Sequence, residues 1–201
     1  MSAEKRLPIA VFASGEGSNF QAILDGAEAG ELPLAVRLLV SDRPEARAVA
    51  RARAHGVPVL ALVPRDFADK AAFEREVLRH LQERGVAWLL LAGYMRLIGP
   101  TLLQAYPQRI LNLHPSLLPA FPGKDAVGQA LAHGVKVTGV TVHLVDEGMD
   151  TGPIIAQEAV PVMSGDSKES LSRRIQAVEH RLLPQVLRQV AHQWQTGADS
   201  E

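Results

Sequence analysis

Short, nearly continuous apolar runs alternate with helix-like segments through the first half of the chain. Such runs are typical of parallel strands covered on both faces, because neither side of the strand meets water. We predict strands at Leu7–Ala13, Leu34–Val40, Val57–Val63, Val86–Leu91 and Arg109–Leu113, and helices at Asn19–Ala29, Glu45–His55 and Phe67–Arg84. This order predicts an α/β fold of the Rossmann type: a doubly wound, mostly parallel sheet flanked by helices, with right-handed crossovers.

The pattern changes after Leu113, where closely spaced prolines prevent regular helix. Beyond this irregular loop we predict a short helix at Asp125–His133, strands at Thr138–Val145 and Ile154–Val162, and a helical region at Ser167–Gln195. Ser167 is a candidate cap for that last region, and Pro184 is expected to kink or divide it. No linker-like stretch separates the two halves, so we expect a single domain over residues 1–201.

Composition excludes several classes of function. The formal net charge is −1 at pH 7, so no strong overall field would attract nucleic acid or an anionic membrane. The chain has no cysteine, which rules out disulfides, thiolate metal sites and a cysteine nucleophile. No apolar run approaches the roughly 20 residues that span a bilayer, and the charged segment Met1–Arg6 does not resemble a signal peptide. We therefore expect a cytoplasmic protein without nucleic-acid or membrane partners, either a monomer or a homodimer.

A Gly- and Ser-rich loop, Ser14–Asn19, joins the first predicted strand to the first predicted helix. Glycines let the backbone approach an anion, and the free N–H groups and dipole at a helix N-terminus favour phosphate. Ser18 and Asn19 add side-chain donors, so Gly17, Ser18 and Asn19 are candidate phosphate-binding residues. A tight turn with a capping Ser or Asn would explain the same loop without any ligand.

A nicotinamide cofactor is an alternative ligand for this loop. Asp42, at the end of the second predicted strand, lies where a ribose-binding acid would be expected. The dinucleotide fingerprint, however, requires a third glycine where this chain has Phe20, and the loop lacks the Gly-Lys-Ser/Thr of a P-loop. The alternative therefore has little support.

Asn112 and His114 lie two residues apart at the end of the fifth predicted strand, so both side chains point to one face. Ligands of open α/β sheets bind beyond the carboxyl ends of the strands. One cleft at this edge would therefore bring together the phosphate loop, an amide and an imidazole. His143 and Thr141, on a later predicted strand, are candidates for supporting positions, and His143 fits the core and the cleft equally well.

Asp150 lies in a Gly- and acid-rich loop, Asp146–Pro153. This loop is either a solvated turn, or it returns a carboxylate to the sheet edge facing His114, where it would favour the imidazolium. A metal site is not expected, because the short ligand spacings of metal motifs do not occur. Ser116 with His114 and Asp150 matches a hydrolase in composition, but the Gly-x-Ser-x-Gly elbow is missing.

These motifs resemble the phosphoribosylglycinamide formyltransferases (GAR transformylases), a family of folate-dependent formyltransferases. The resemblance runs over nearly the whole chain and rests on SGEGSN at 14–19, LAGYMRLI at 91–98, ILNLHPSLLPAFPG at 110–123, GVTVHLVDEGMDTGPIIAQ at 139–157, GDS at 165–167 and EH at 179–180. It implies transfer of a formyl group from 10-formyltetrahydrofolate, as co-substrate, to the amine of glycinamide ribonucleotide in purine biosynthesis, without a metal.

The matching positions imply three groups of site residues. The catalytic residues would be Asn112, His114 and Asp150. The ribonucleotide site would comprise Gly17, Ser18 and Asn19 for the phosphate and Glu179 for the ribose. The folate site would comprise Lys70, Met95, Arg96, Leu97, Ile98, Asn112 and the loop Val145–Asp150. The resemblance also places the phosphate-binding βαβ units in about residues 1–100 and the catalytic loops in about residues 101–201 of one formyltransferase domain.

Two other folate-dependent enzymes share the Asn-x-His-Pro motif. Methionyl-tRNA formyltransferase carries a basic C-terminal domain, which we do not expect here. Formyltetrahydrofolate deformylase usually carries an N-terminal regulatory domain and has a second histidine where this chain has Pro115. This chain departs from the transferase family at Asp125, where a histidine is frequent, and at Lys70, which is often Arg. Both departures bear on substrate contacts.

Overall fold

A computed structural model describes residues 5–197, so the charged N-terminal segment is described only from Lys5. Its elements follow the predicted alternation. The strands are β1 Leu7–Phe12, β2 Leu34–Ser41, β3 Val59–Ala61, β4 Trp88–Leu91, β5 Ile110–His114, β6 Val137–Leu144 and β7 Ile154–Pro161. The helices are α1 Ser18–Glu28, α2 Arg47–Ala54, α3 Lys70–Glu83, α4 Pro100–Ala105, α5 Ala126–His133 and α6 Lys168–Thr196, with a short 3-10 turn at Pro64–Asp66.

The strands form one seven-stranded sheet in the order β3-β2-β1-β4-β5-β6-β7. Strands β1 to β5 are parallel, whereas β6 and β7 are antiparallel to their neighbours. The predicted doubly wound, mostly parallel α/β sheet is confirmed. The chain winds outward from β1 to β3 and then returns to place β4 on the other side of β1. This reversal opens a crevice at the carboxyl ends of β1 and β4.

Helices cover both faces of the central strands. Ile9 and Val11 of β1 pack in a core shared with α1, α2 and α6, whereas Ala10 and Phe12 pack in a second core with α3 and α4. All four side chains are at most 1% exposed. Burial on both faces explains why these strands are continuous apolar runs rather than alternating ones.

Helix α6 continues through Pro184 without a break, so the expected division at this proline is wrong. Proline removes one backbone hydrogen bond and crowds the preceding turn. Leu183 and Val186, on either side of it, are each 1% exposed. Packing of this apolar face keeps the segment helical despite the proline. The predicted cap is confirmed, because Ser167 accepts a hydrogen bond from the Ser170 N–H in a capping box.

Helix α4 has no counterpart among the predicted elements. It is only six residues long and begins with Pro100, directly after Gly99. A Gly-Pro pair is usually a signal for a turn, but proline also suits the first position of a helix, where its missing N–H is not needed. Leu102 anchors the helix in the second core at 1% exposure.

Candidate active site

A cleft of about 680 Å³ opens at the carboxyl ends of β1, β4 and β5. Its size falls within the range of small-molecule sites. Its walls are the loop after β1, the segment after β4, the end of β5 and the loop after β6. The cleft therefore lies at the point where the strand order reverses, as the sheet topology predicts.

The loop after β1 forms an uncapped helix N-terminus. Gly17 precedes α1 with a left-handed φ of 71°, and a Cβ there would lie 2.8 Å from Cβ of Ala48, so a larger residue does not fit without displacing α2. Within residues 5–197, no side chain caps α1. The alternative of a turn capped by Ser or Asn is therefore wrong. The first N–H groups of α1 have no partner within the helix, and they suit an anion.

Asn19 links this helix start to α6. Its Nδ2 donates to Oε2 of Glu179 at 2.8 Å, and its buried Oδ1 has no hydrogen-bond partner among the described residues. Glu179 is 7% exposed. Burial raises the pKa of Glu179 above its usual value, although the hydrogen bond from Asn19 opposes the shift. An open acceptor and a buried carboxylate together suit a ligand that brings hydroxyl or N–H donors.

Asn112 contacts both His143 and Asp150 through its amide nitrogen. The Nδ2 atom is 3.1 Å from Nε2 of His143 and 3.2 Å from Oδ1 of Asp150. His143 Nδ1 is 2.8 Å from the Leu144 carbonyl, which only accepts, so Nδ1 carries a proton and Nε2 is the nitrogen that accepts from Asn112. Both Asn112 N–H groups therefore have partners. His143 is 2% exposed and lines the cleft, so it serves the core and the cleft at once.

His114 lies between two hydrogen-bond acceptors. Its Nε2 is 2.8 Å from the carbonyl oxygen of Phe121, and its Nδ1 is 3.4 Å from Oδ2 of Asp150. The carbonyl accepts only, so Nε2 carries a proton. In a neutral ring, Nδ1 would then turn a lone pair toward the Asp150 carboxylate, so that two acceptors would face each other without a proton between them. The doubly protonated ring satisfies both neighbours.

Asp150 returns to the sheet edge in the left-handed conformation, with φ of 56°. Its Oδ2 accepts the Gly123 N–H at 2.7 Å. Burial tends to raise the pKa of Asp150, but the neighbouring His143 imidazole, the hydrogen bond from the Gly123 N–H and the nearby charge of His114 outweigh it. The pKa therefore lies below its usual value. Asp150 is an ionised carboxylate at neutral pH, and the solvated-turn alternative does not describe it.

Thr141 and Ser116 brace the proline-rich loop from beneath. The Thr141 hydroxyl donates to the Ser116 carbonyl at 2.7 Å and accepts the Leu118 N–H at 3.1 Å. The Ser116 hydroxyl is fully buried and donates to the Ala120 carbonyl at 2.5 Å. Ser116 is therefore a structural residue of the loop and is not presented to the cleft as a nucleophile.

The sequence profile of the formyl transferase family matches residues 7–187, which include every candidate site residue. The chain belongs to the formyl transferase family. The resemblance found in the motifs is confirmed. No helix within residues 5–197 is long and apolar enough to cross a membrane, and no cluster of three or more His, Asp or Glu suited to a metal ion occurs in that range.

Two relatives of this formyl transferase carry transferase names. The phosphoribosylglycinamide formyltransferase of Bacillus subtilis (strain 168) is 52% identical over 181 residues, covering 90% of this chain and 93% of that protein. The glycinamide ribonucleotide transformylase 1 structure from Geobacillus kaustophilus has a TM-score of 0.90 at 59% identity, covering 92% of this chain and 99% of that one. A formyltetrahydrofolate deformylase from Pseudomonas syringae pv. tomato is 30% identical, with a TM-score of 0.84, and covers 91% of this chain and 60% of that one. The transferases are thus more similar to this chain than the deformylase is.

The segment after β4 forms the apolar wall of the formyl transferase cleft. Met95, Arg96, Leu97 and Ile98 all line the cleft, and Met95 and Leu97 are 54% and 53% exposed. Exposed apolar side chains at a cleft mouth suit a flat, apolar ligand. Lys70 does not line the cleft. It is exposed at the start of α3, with its Cε beside Gly99 at the outer edge of this wall.

Several cleft residues of this formyl transferase were not among the predicted ones: Arg43, Lys124, Lys168 and Gln176. Lys168 pairs with Asp125 at 2.7 Å, and Asp125 also caps α5 through the Gly128 N–H at 3.2 Å. The hydrogen bond from Lys168 lowers the pKa of Asp125, with help from Gly128. A lysine at the first position of a helix opposes the helix dipole, and this anomaly is the signal that could have identified Lys168.

The nicotinamide alternative fails for this formyl transferase on the position of Asp42. Its Oδ1 accepts the Ser14 hydroxyl at 2.5 Å, and Asp42 does not line the cleft. The carboxylate is therefore turned toward the protein rather than toward a ribose.

Replacing Glu179 by Gln is expected to raise the stability of the protein at neutral pH. A carboxyl whose pKa is raised on folding stabilises the fold fully only below its unfolded pKa, and the contribution is lost as pH rises through the folded pKa. Gln keeps an acceptor for Asn19 but does not titrate. Thermal melting of both proteins between about pH 4 and pH 7 should show the variant's advantage growing with pH. An advantage that shrinks with rising pH would contradict this account.

Proposed function

We propose that this formyl transferase moves the formyl group of 10-formyltetrahydrofolate to the amine of glycinamide ribonucleotide, giving formylglycinamide ribonucleotide for purine biosynthesis. The observation that supports it most is the convergence of Asn112, His114 and Asp150 beside an uncapped helix N-terminus in one cleft. The high identity to phosphoribosylglycinamide formyltransferases supports the same substrates.

The two ends of the cleft fit the two substrates. The N–H groups at Gly17, Ser18 and Asn19 suit the ribonucleotide phosphate, and the buried Glu179 carboxylate suits ribose hydroxyls. The wall Met95–Ile98 and the loop Val145–Asp150 would hold the pterin, and Lys70 at the outer edge would meet the anionic glutamate tail. Catalytic groups between these sites would face the formyl carbon.

Asn112 and His114 would stabilise the oxyanion that forms when the amine attacks the formyl carbon. The His114 Nδ1–H already points to an acceptor, Oδ2 of Asp150, at 3.4 Å. Asn112 would exchange its Asp150 contact, at 3.2 Å, for the oxyanion while keeping His143 as its second partner. Preorganised donors of this kind commonly account for a large share of catalysis.

Asp150 would hold His114 in its charged form and, through water, pass a proton from the attacking amine toward the departing folate nitrogen. Its lowered pKa keeps it ionised at neutral pH, as this role requires. The formyl group would pass directly between the two substrates, because both are held in one cleft. The donor supplies an activated formyl group on nitrogen; the protein supplies position, charge and a proton path.

The remaining proposals concern partners and location. We infer that the two small molecules are the partners of this chain, that it acts in the cytoplasm, and that it is a monomer or a homodimer. Residues of about 1–100 would supply the phosphate site, and about 101–201 the catalytic loops, within one domain. Sedimentation velocity at several protein concentrations would decide between monomer and dimer.

A spectrophotometric transfer assay tests the proposed function. Purified protein is mixed with a 10-formylfolate donor, with and without glycinamide ribonucleotide. An absorbance change that requires the ribonucleotide is expected. Formate release without the acceptor would instead identify a deformylase. No reaction in either mixture would favour a protein that binds a nucleotide without catalysis.

Replacing Ser18 or Asn19 by Ala is expected to raise the KM for the ribonucleotide by about tenfold. Ser18→Ala removes a hydroxyl donor for the phosphate, and Asn19→Ala removes the donor that holds the ribose-facing Glu179 carboxylate. The KM for the folate should change much less, because both residues lie at the phosphate end of the cleft. Steady-state kinetics with each substrate varied in turn measures both effects. Equal rises in the two KM values would argue against a phosphate site here.

A further inference from the structure

We propose that Ser14, oriented by Asp42, is a positioning residue that holds the folate-facing wall Gly93–Ile98 in its binding conformation. The proposal rests on the proposed function, since it takes this wall as the folate side of the cleft. It assigns a purpose to two polar side chains that the reaction itself does not use. Three neighbouring strand ends, those of β2, β1 and β4, are linked through one hydroxyl.

Ser14 is bonded on three sides. Its hydroxyl donates to Oδ1 of Asp42 at 2.5 Å and accepts the Met95 N–H at 2.9 Å, while its own N–H donates to the Gly93 carbonyl at 3.1 Å. A serine hydroxyl has a single proton. Because the hydroxyl donates that proton in its hydrogen bond to Asp42, a lone pair of the Ser14 oxygen is left to accept from the Met95 N–H. Asp42 thus fixes the orientation that lets Ser14 hold the wall.

The wall depends on such ties because it has no regular secondary structure. Residues 92–99, between β4 and α4, form neither strand nor helix, and Met95 and Leu97 extend largely into solvent. The wall is held at its far end, where Gly99 N–H donates to the buried Glu74 at 2.6 Å. Ser14 holds its near end and its middle. Without the Ser14 hydroxyl, Met95 is free to leave the position that faces the cleft.

Ser14 acts through the protein rather than on the substrate. Although Ser14 belongs to the lining of the cleft, it is only 2% exposed, and its hydroxyl is already committed to Asp42 and Met95. Its neighbours in the chain, Gly15–Asn19, form the phosphate loop. The start of this loop stays anchored without the Ser14 side chain, because the hydrogen bond to the Gly93 carbonyl comes from the Ser14 backbone N–H. Loss of the hydroxyl should therefore loosen the wall and leave the phosphate loop in place.

The test is calorimetric titration of Ser14→Ala and Asp42→Ala with tetrahydrofolate and, separately, with glycinamide ribonucleotide. If loosening lowers the binding-competent fraction of the wall to a tenth, the Kd for tetrahydrofolate rises about tenfold. The Kd for the ribonucleotide should change less than about twofold, because the helix N-terminus that binds phosphate is unchanged. Asp42→Asn, which keeps an acceptor for the Ser14 proton, should restore folate binding to within about threefold of the wild type.

Tyr106→Phe is the matched control. Its hydroxyl is buried and donates to the Val86 carbonyl at 3.3 Å, just before the amino end of β4, away from the cleft. This variant loses a buried hydroxyl bond near the same strand and should bind both ligands like the wild type. The double variant Ser14→Ala with Asp42→Ala should bind tetrahydrofolate no more weakly than Ser14→Ala alone, because both changes break one link.

Three results would overturn the proposal: a tetrahydrofolate Kd for Ser14→Ala within about twofold of the wild type, equal weakening of both ligands, or additive effects in the double variant. If Ser14→Ala does not fold, Asp42→Ala tests the same link from a less buried position. Failure of the proposed function is distinguishable. A wild-type protein that binds both ligands without transfer disproves the function and leaves the link measurable, whereas one that binds no folate disproves both.

Discussion

Asp150→Asn should lower kcat by about 10² to 10⁴, the usual contribution of a positioned acid–base group. Asn has no charge, so it would neither favour the imidazolium of His114 nor carry a proton to the folate nitrogen. The fold should persist, because Asn tolerates the left-handed backbone at φ of 56° and keeps an acceptor for the Gly123 N–H. Steady-state kinetics measures the loss of kcat, and circular dichroism shows whether the fold persists.

Two further measurements separate chemistry from folding in Asp150→Asn. A carboxylate whose pKa is lowered on folding stabilises the protein above its unfolded pKa, and that contribution is lost as pH falls through the folded pKa. The variant should therefore be less stable than the wild type at neutral pH, with the gap closing in acid. Asp25→Asn, the same charge change at an exposed site on α1, should leave kcat unaltered. Near-normal turnover in Asp150→Asn would remove Asp150 from the proton path.

Local patterns were sufficient to predict the parts of the site that lie on regular elements. The alternation of strand side chains predicts Asn112 and His114 on one face, and β5 ends at His114. The Gly- and Ser-rich loop predicts a helix start directly after it, and Gly17 immediately precedes α1. Parallel strands end at a common edge, so the meeting of these two segments followed from the predicted topology.

The partners of the catalytic groups were harder to predict, because most are backbone atoms. The Phe121 carbonyl beside His114 and the Gly123 N–H beside Asp150 belong to an irregular loop, and any residue there could supply them. No side-chain pattern marks such contacts. The hydrogen bond from Asn112 to Asp150 likewise depends on how closely the loop after β6 returns to β5, which periodicity does not specify.

Tertiary packing accounts for the remaining differences. Local rules predict a break at Pro184, yet the apolar face of α6 buried on the sheet keeps the helix continuous. The sequence does not mark Lys168 as a cleft residue, because one charged residue at a helix start is usually solvated. Its pairing with Asp125 arises only when the starts of α5 and α6 lie side by side.

Asn112→Ala is expected to lower kcat by about 10² to 10³, far more than it raises either KM, because the amide stabilises an oxyanion that exists only in the transition state. Ala would leave Nε2 of His143 and Oδ1 of Asp150 without their shared donor. Single-turnover kinetics with both substrates saturating isolates this step from binding and product release.

A double variant decides whether Asn112 and Asp150 act as one unit. They share a hydrogen bond at 3.2 Å, and His114 lies 3.4 Å from the same carboxylate. Groups that stabilise one transition state together give strongly non-additive losses. Asn112→Ala with Asp150→Asn should therefore be about as slow as the slower single variant. Multiplied losses would mean that the two residues act on separate steps, with Asn112 on the oxyanion and Asp150 on a later proton transfer that limits turnover independently.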